Sequence, residues 1–205
     1  MKSNYFMVRT YLAEMFGTFT LTFLVSLSLA GTFPIATPVL AAFVLAMFVY
    51  TIGSISGSHI NPAVTIGLWF RKKISTKDSI YYVIFQILGA VAAMLLAQYY
   101  TGATPDVSAG EQITAMVILA EALGMIVFTF GISAVVDENV PPAASGLVVG
   151  GSLFLGILIA SIGSNGVLNP AVALGIGSFS LSYVLGPIIG SIIGFTLYQE
   201  LNEKK

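Results

Sequence analysis

Between Met15 and Phe70, and again between Asn139 and Gln199, the chain contains no Asp, Glu, Lys or Arg. One spanning helix needs about 20 apolar residues, so each run is long enough to cross a bilayer more than once and must fold back on itself. Only 8% of the residues are charged and the mean hydropathy is +0.94, against roughly 25% charge in a soluble domain. The chain reads as an all-α membrane protein. Its net charge of −1, with no basic stripe interleaved with aromatics, excludes nucleic acid as an expected partner. It has no cysteine, which removes disulfide frameworks and thiol metal sites. No phosphate-binding Gly loop ending in Lys, no metal-ligand cluster and no nucleophile beside a base can be picked out, so neither an enzyme nor a cofactor is expected.

Six full spans are expected: about Thr10 to Gly31, Val39 to Ser54, Ser79 to Tyr100, Ile113 to Val136, Ala144 to Ile162, and Ser182 to Leu201. Lys2 and Arg9 precede an apolar segment too long for a signal-peptide core, which reads as a retained first span. Pro34 and Pro38 separate the first two spans, since Pro breaks helices. Thr101 to Gly110 is a polar loop. Two apolar pieces are too short to span. Pro62 to Phe70 lies between a Gly/Ser-rich loop, Gly53 to Ser58, and the basic Arg71-Lys72-Lys73. At about 1.5 Å per residue it covers about half of a hydrocarbon core of about 30 Å. Pro170 to about Ser178 follows a second small-residue loop, Gly163 to Gly166.

Both short pieces begin with the same tripeptide. Asn61-Pro62-Ala63 returns as Asn169-Pro170-Ala171, in each case a favoured N-cap followed by Pro at the first helical position. The halves also match at Ala13-Glu14-Met15-Phe16-Gly17 and Ala120-Glu121-Ala122-Leu123-Gly124. The whole chain, 1–205, is expected to be one domain built from repeats at about 9–101 and 113–201. Three full spans per half is an odd number, so the second half sits upside down relative to the first, an inverted repeat. The short helices then enter from opposite sides and meet N-terminus to N-terminus. In this topology Lys2, Arg9, Arg71, Lys72, Lys73, Lys77, Lys204 and Lys205 fall on one face. The positive-inside rule makes that face, with both termini, cytoplasmic; the plasma membrane is the expected location.

Irregular backbone at membrane depth must be buried in protein or line a watery cavity. Facing helix N-termini, each with about half a positive charge, would repel cations but not neutral molecules. Asn61 and Asn169 would offer amide N–H groups, and the loop carbonyls before them acceptors, to water or a small polar solute.

On these residues the chain resembles the aquaporins of the major intrinsic protein family across about residues 9 to 200. The matching stretches are Ala13 to Phe19, Ser56 to Thr65, Gln86 to Ala90, Leu168 to Ala171 and Gly186 to Gly190. The resemblance implies an aquaporin-like inverted repeat with six transmembrane helices and two re-entrant half-helices. It also implies a homotetramer in membrane lipid with one pore per subunit. Asn61, Pro62, Ala63, Asn169, Pro170 and Ala171 would form the pore midplane.

The family pattern puts Arg after the second Asn-Pro-Ala; here Val172 stands there. The same pattern assigns Ala41, Ile157 and Gly166 to the other filter walls, with Asn165 standing where the family usually has Gly. A filter of Ala41, Ile157, Gly166 and Val172 is wide and apolar, similar to that of some plant tonoplast intrinsic proteins. The implied function is a passive channel for water and small neutral solutes such as urea, ammonia, hydrogen peroxide or glycerol. Glu14 and Glu121, costly inside spans, would hold the re-entrant loops, with a proton relay the alternative, and His59 would pack beside the first loop, with pH gating the alternative. Two other readings are a solute transporter with broken helices and a closed-pore structural membrane protein.

Overall fold

The computed structural model describes residues 4–31, 33–102 and 113–202. Lys2, Lys204, Lys205 and most of the Thr101 to Gly110 loop lie outside them. The described residues are helical throughout their regular structure: α1 (Asn4–Leu29), α2 (Thr37–Ser56), α3 (Pro62–Phe70), α4 (Thr76–Thr101), α5 (Ala115–Val136), α6 (Ser145–Ala160), α7 (Pro170–Gly175) and α8 (Ser182–Asn202). A single 3₁₀ turn, Pro142–Ala144, leads into α6. Six segments are long and apolar enough to cross a membrane; α3 and α7, with 9 and 6 residues, are not.

Helix ends differ from the sequence expectation where local chemistry outweighs hydropathy. Pro38 does not stop a helix; it occupies the first turn of α2, where Pro is tolerated. Gly53 to Ser56 is the last turn of α2 rather than loop, and the chain leaves the helix at Gly57. There φ is +88° and the N–H bonds to the Gly53 carbonyl, an αL stop that Gly adopts without cost. Ser75 starts α4 earlier than expected by accepting the Asp78 N–H. α1 reaches back to Asn4, as nothing between Asn4 and Arg9 interrupts a helix. Pro187 lies inside α8 without ending it.

α1 packs on α4 and α2, α5 packs on α8 and α6, and α2 meets α6. Small residues set the close approaches: a Cβ on Gly89 would strike the Met15 carbonyl, and one on Gly190 the Ala122 carbonyl. The half-helices insert among these spans. α3 lies on α8 and α4, with Gly67 against Ser191 and Phe195, and α7 lies on α4 and α1, with Gly175 against Thr22. Large apolar side chains such as Phe16, Phe43, Leu119 and Leu147 face outward, whereas Glu14, Gln86, Glu121, Thr18 and Thr129 are fully enclosed. That is the reverse of a soluble protein's distribution.

Candidate functional site

The enclosed carboxylates organise the two loops. Glu14 Oε1 accepts from Ser56 Oγ (2.6 Å) and the His59 N–H (3.0 Å). Its Oε2 accepts from the Ile60 N–H (2.6 Å) and Gln86 Nε2 (2.8 Å). Glu121 Oε1 accepts from Ser164 Oγ (2.7 Å) and the Val167 N–H (2.9 Å), and Oε2 from the Leu168 N–H (2.6 Å). Each serine also accepts a turn N–H, from Ser58 and Gly166 respectively. Ser58, Ile60 and Leu168 have φ of 52°, 38° and 57°, a region unfavourable for any residue with a Cβ and most of all for β-branched Ile. The bonds to Glu14 and Glu121 hold the backbone there.

That turn delivers the chain to two capped helices. Asn61 Oδ1 accepts the Ala63 N–H (2.8 Å), and Asn169 Oδ1 accepts those of Ala171 (3.0 Å) and Val172 (3.3 Å). The amide nitrogens cross over: Asn61 Nδ2 donates to the Leu168 carbonyl at 2.9 Å, and Asn169 Nδ2 to the Ile60 carbonyl at 3.0 Å. The two helix N-termini therefore face each other. Each amide group carries two N–H donors, so one on each Asn remains for a guest.

A cavity of about 370 Å³ reaches both asparagines, and Ala41, Ile157, Gly166 and Val172 all line it. Gly166, at φ +62°, could not carry a side chain, since a Cβ would lie 2.6 Å from Ser161 Oγ. Asn165 lines the same cavity, fixed by its N–H to Tyr183 Oη and its Nδ2 to Ser178 Oγ, both at 3.0 Å. A second cavity of about 330 Å³ is lined by Ser58, His59, Val64, Leu68 and Lys73. Leu45, His59 and Phe128 belong to both walls, so the cavities adjoin there. His59 Nδ1 pairs with Thr65 Oγ1 (3.1 Å), and its ring packs 4.9 Å from that of Tyr82. Ser58 Oγ, buried on the second wall, has no partner among the described residues.

Residues 1–198 match the major intrinsic protein family. The chain belongs to that family. It is similar to "Aquaporin AqpM" of Methanothermobacter thermautotrophicus, with 33% identity over 79% of this chain and 74% of that one. It is also similar to "Glycerol uptake facilitator protein-like 6" of Lactiplantibacillus plantarum, with 32% identity over 91% and 94%. The solved structure of the aquaglyceroporin from Plasmodium falciparum has the same fold, with a TM-score of 0.65 at 24% identity over 97% of this chain and 96% of that one. As a member of this family with six apolar helices of spanning length, the chain is an integral, multi-pass membrane protein of a channel family.

Several residues of the site went unassigned in the sequence reading. Ser56 and Ser164 each stand five positions before an Asn, a regularity that laying one loop over the other would expose. Gln86 and Thr65 lie in the stretches that carry the family resemblance, yet nothing local in them announces the bond from Gln86 Nε2 to Thr65 Oγ1 at 3.0 Å.

Proposed function

We propose that the adjoining cavities are two parts of one permeation path that passively conducts water and small neutral solutes. The observation that carries this reading is the reciprocal pair of Asn–carbonyl bonds, which leaves one free amide donor on each Asn in the wall of the cavity that Val172 lines. In this reading Asn61, Pro62, Ala63, Asn169, Pro170 and Ala171 form the midplane. Ala41, Ile157, Gly166 and Val172 form the filter, and Glu14, Glu121 and His59 hold the loops in shape. The filter presents apolar walls rather than an Arg fork, so it admits solutes broader than water, with urea, ammonia, hydrogen peroxide and glycerol as candidates. Ions are opposed by the two facing helix N-termini. The unpartnered Ser58 hydroxyl fits this account, because a buried polar group without a protein partner calls for a water.

The residue correspondences between the loops support one domain of two inverted repeats, about 9–101 and 113–201. The basic residues Arg71, Lys72, Lys73 and Lys77 support a cytoplasmic assignment for that end and both termini, and a plasma membrane and a homotetramer complete the proposal. Proteoliposomes challenged with water, urea and glycerol gradients test it. Flux above that of empty liposomes for water and at least one solute is expected; water flux equal to that of empty liposomes refutes it.

A further inference from the structure

Among the described residues, Lys73 is the one Asp, Glu, Lys or Arg that lines either cavity. Its backbone is fixed by the turn that ends α3, where the Lys73 N–H bonds to the Leu68 carbonyl at 2.9 Å. Its Nζ lies 3.3 Å from Asp137 Oδ1 at the end of α5. Asp137 is already engaged. Arg71, whose side chain is 6% exposed, donates to both of its oxygens at 3.2 and 3.0 Å. Arg71 also donates to Ser133 Oγ at 3.4 Å and lies 5.8 Å over the Phe195 ring. One carboxylate thus serves two cations, so the trio carries one surplus positive charge. Lys73, with 44% of its side chain exposed, is the member that fronts the cavity. Lys72, Lys77 and Glu138 are exposed near this end. Asp78 lies across a neighbouring pocket, which Lys73 also lines, and is occupied by Tyr11 Oη and Ser75 Oγ. None of these four lines the cavity.

We propose that Lys73 is a specificity-determining residue of the permeation path, its ammonium docked beside Asp137 to disfavour small cations at the mouth while leaving neutral solutes unaffected. This rests on reading the two cavities as one path. A cleft lined by one sign of charge, with low-dielectric walls, changes the local concentration of ions by an order of magnitude or more; one ammonium that is partly exposed and paired with Asp137 acts more weakly, and added salt screens it.

The test compares the full-length protein with Lys73→Met, Lys73→Glu and Lys73→Arg in proteoliposomes, following methylammonium and potassium efflux alongside water flux. The ratio of cation leak to water flux is expected to rise about threefold for Lys73→Met and further for Lys73→Glu. Lys73→Arg should stay near wild type, and the differences should shrink in about 0.5 M salt. Equal ratios in all four proteins with wild-type water flux intact would overturn the proposal. So would a rise that ignores salt, which would signal altered packing rather than charge. Wild-type water flux no higher than empty liposomes would instead defeat the channel reading itself.

Discussion

The loop held by Glu14 and the loop held by Glu121 follow the same backbone course but are secured by different neighbours. Gln86 on α4 stands three positions before Gly89, and Pro187 on α8 three before Gly190. These glycines press on the carbonyls of Met15 and Ala122, the residues that follow the two glutamates. The positions are therefore equivalent, yet only Gln86 can donate to its carboxylate. Gln86 Nε2 joins Glu14 to Thr65 on α3, and Thr65 in turn meets His59 and the Asn61 carbonyl. Among the described residues, no side chain bridges Glu121 to α7 in the way that Gln86 bridges Glu14 to α3. It is tied instead to the segments around α7 and α8, through Asn165 to Tyr183 and Ser178. The same turn can thus be braced through the carboxylate, by Gln86, or through the loop itself, by Tyr183 and Ser178 on Asn165, and the choice is written in side chains outside the Asn-Pro-Ala boxes.

The comparison breaks most visibly at the carboxylates. Glu14→Ala removes the acceptor of four donors and should cost about 3–5 kcal/mol; Glu121→Ala removes that of the Val167 and Leu168 N–H groups, while Ser164 Oγ keeps the Ala160 carbonyl, and should cost less. Thermal unfolding of the purified proteins in detergent measures the order, and equal losses would mean that Gln86 adds nothing. Gln86→Leu should cost about 1–3 kcal/mol, because Glu14 and Thr65 each lose a buried partner. Pro187→Leu, which removes no hydrogen bond, should cost less in the same assay.

The two cavities differ as well, since the one lined by Val172 has no formally charged side chain among the described residues and the other has Lys73. Val172→Arg introduces a charge and five donors. It should lower the urea-to-water permeability ratio about tenfold, a barrier change of about 1.4 kcal/mol, read by proteoliposome swelling. An unchanged ratio would refute the proposed filter role of Val172. The smallest effect is expected for Tyr183→Phe, which deprives the Asn165 N–H of its acceptor at a cost of about 1 kcal/mol. Hydrogen exchange at residues 163–167 should quicken without a matching change at 56–60.

The spans, the half-length of α3 and the N-caps of both short helices were legible in the sequence. They depend on local signals: charge-free length, Pro after Asn, and a basic cluster ending a run. The last turn of α2 was not, because Gly53 to Ser56 is loop-like in composition and becomes helical only through the αL stop at Gly57. The proposed filter residues came from resemblance rather than from any pattern of their own, and the structure shows only that the four share one cavity wall. The Gln86–Glu14 bond links residues 72 apart. Nothing periodic marks such a contact, and the same holds for the Arg71–Asp137 pair that leaves Lys73 beside the cavity.

The crossed bonds of Asn61 and Asn169 also have a consequence in time. Translation produces the first loop long before Leu168 exists, so during that interval the Asn61 amide and the Ile60 carbonyl lack their eventual partners. Glu14 and Gln86 come from the same half and can shape the first turn early. The crossed pair closes only when the second half arrives, and it closes for both halves at once. Each loop is the other's missing wall, and a truncated first half inserted alone would be a hairpin bundle waiting for its counterpart.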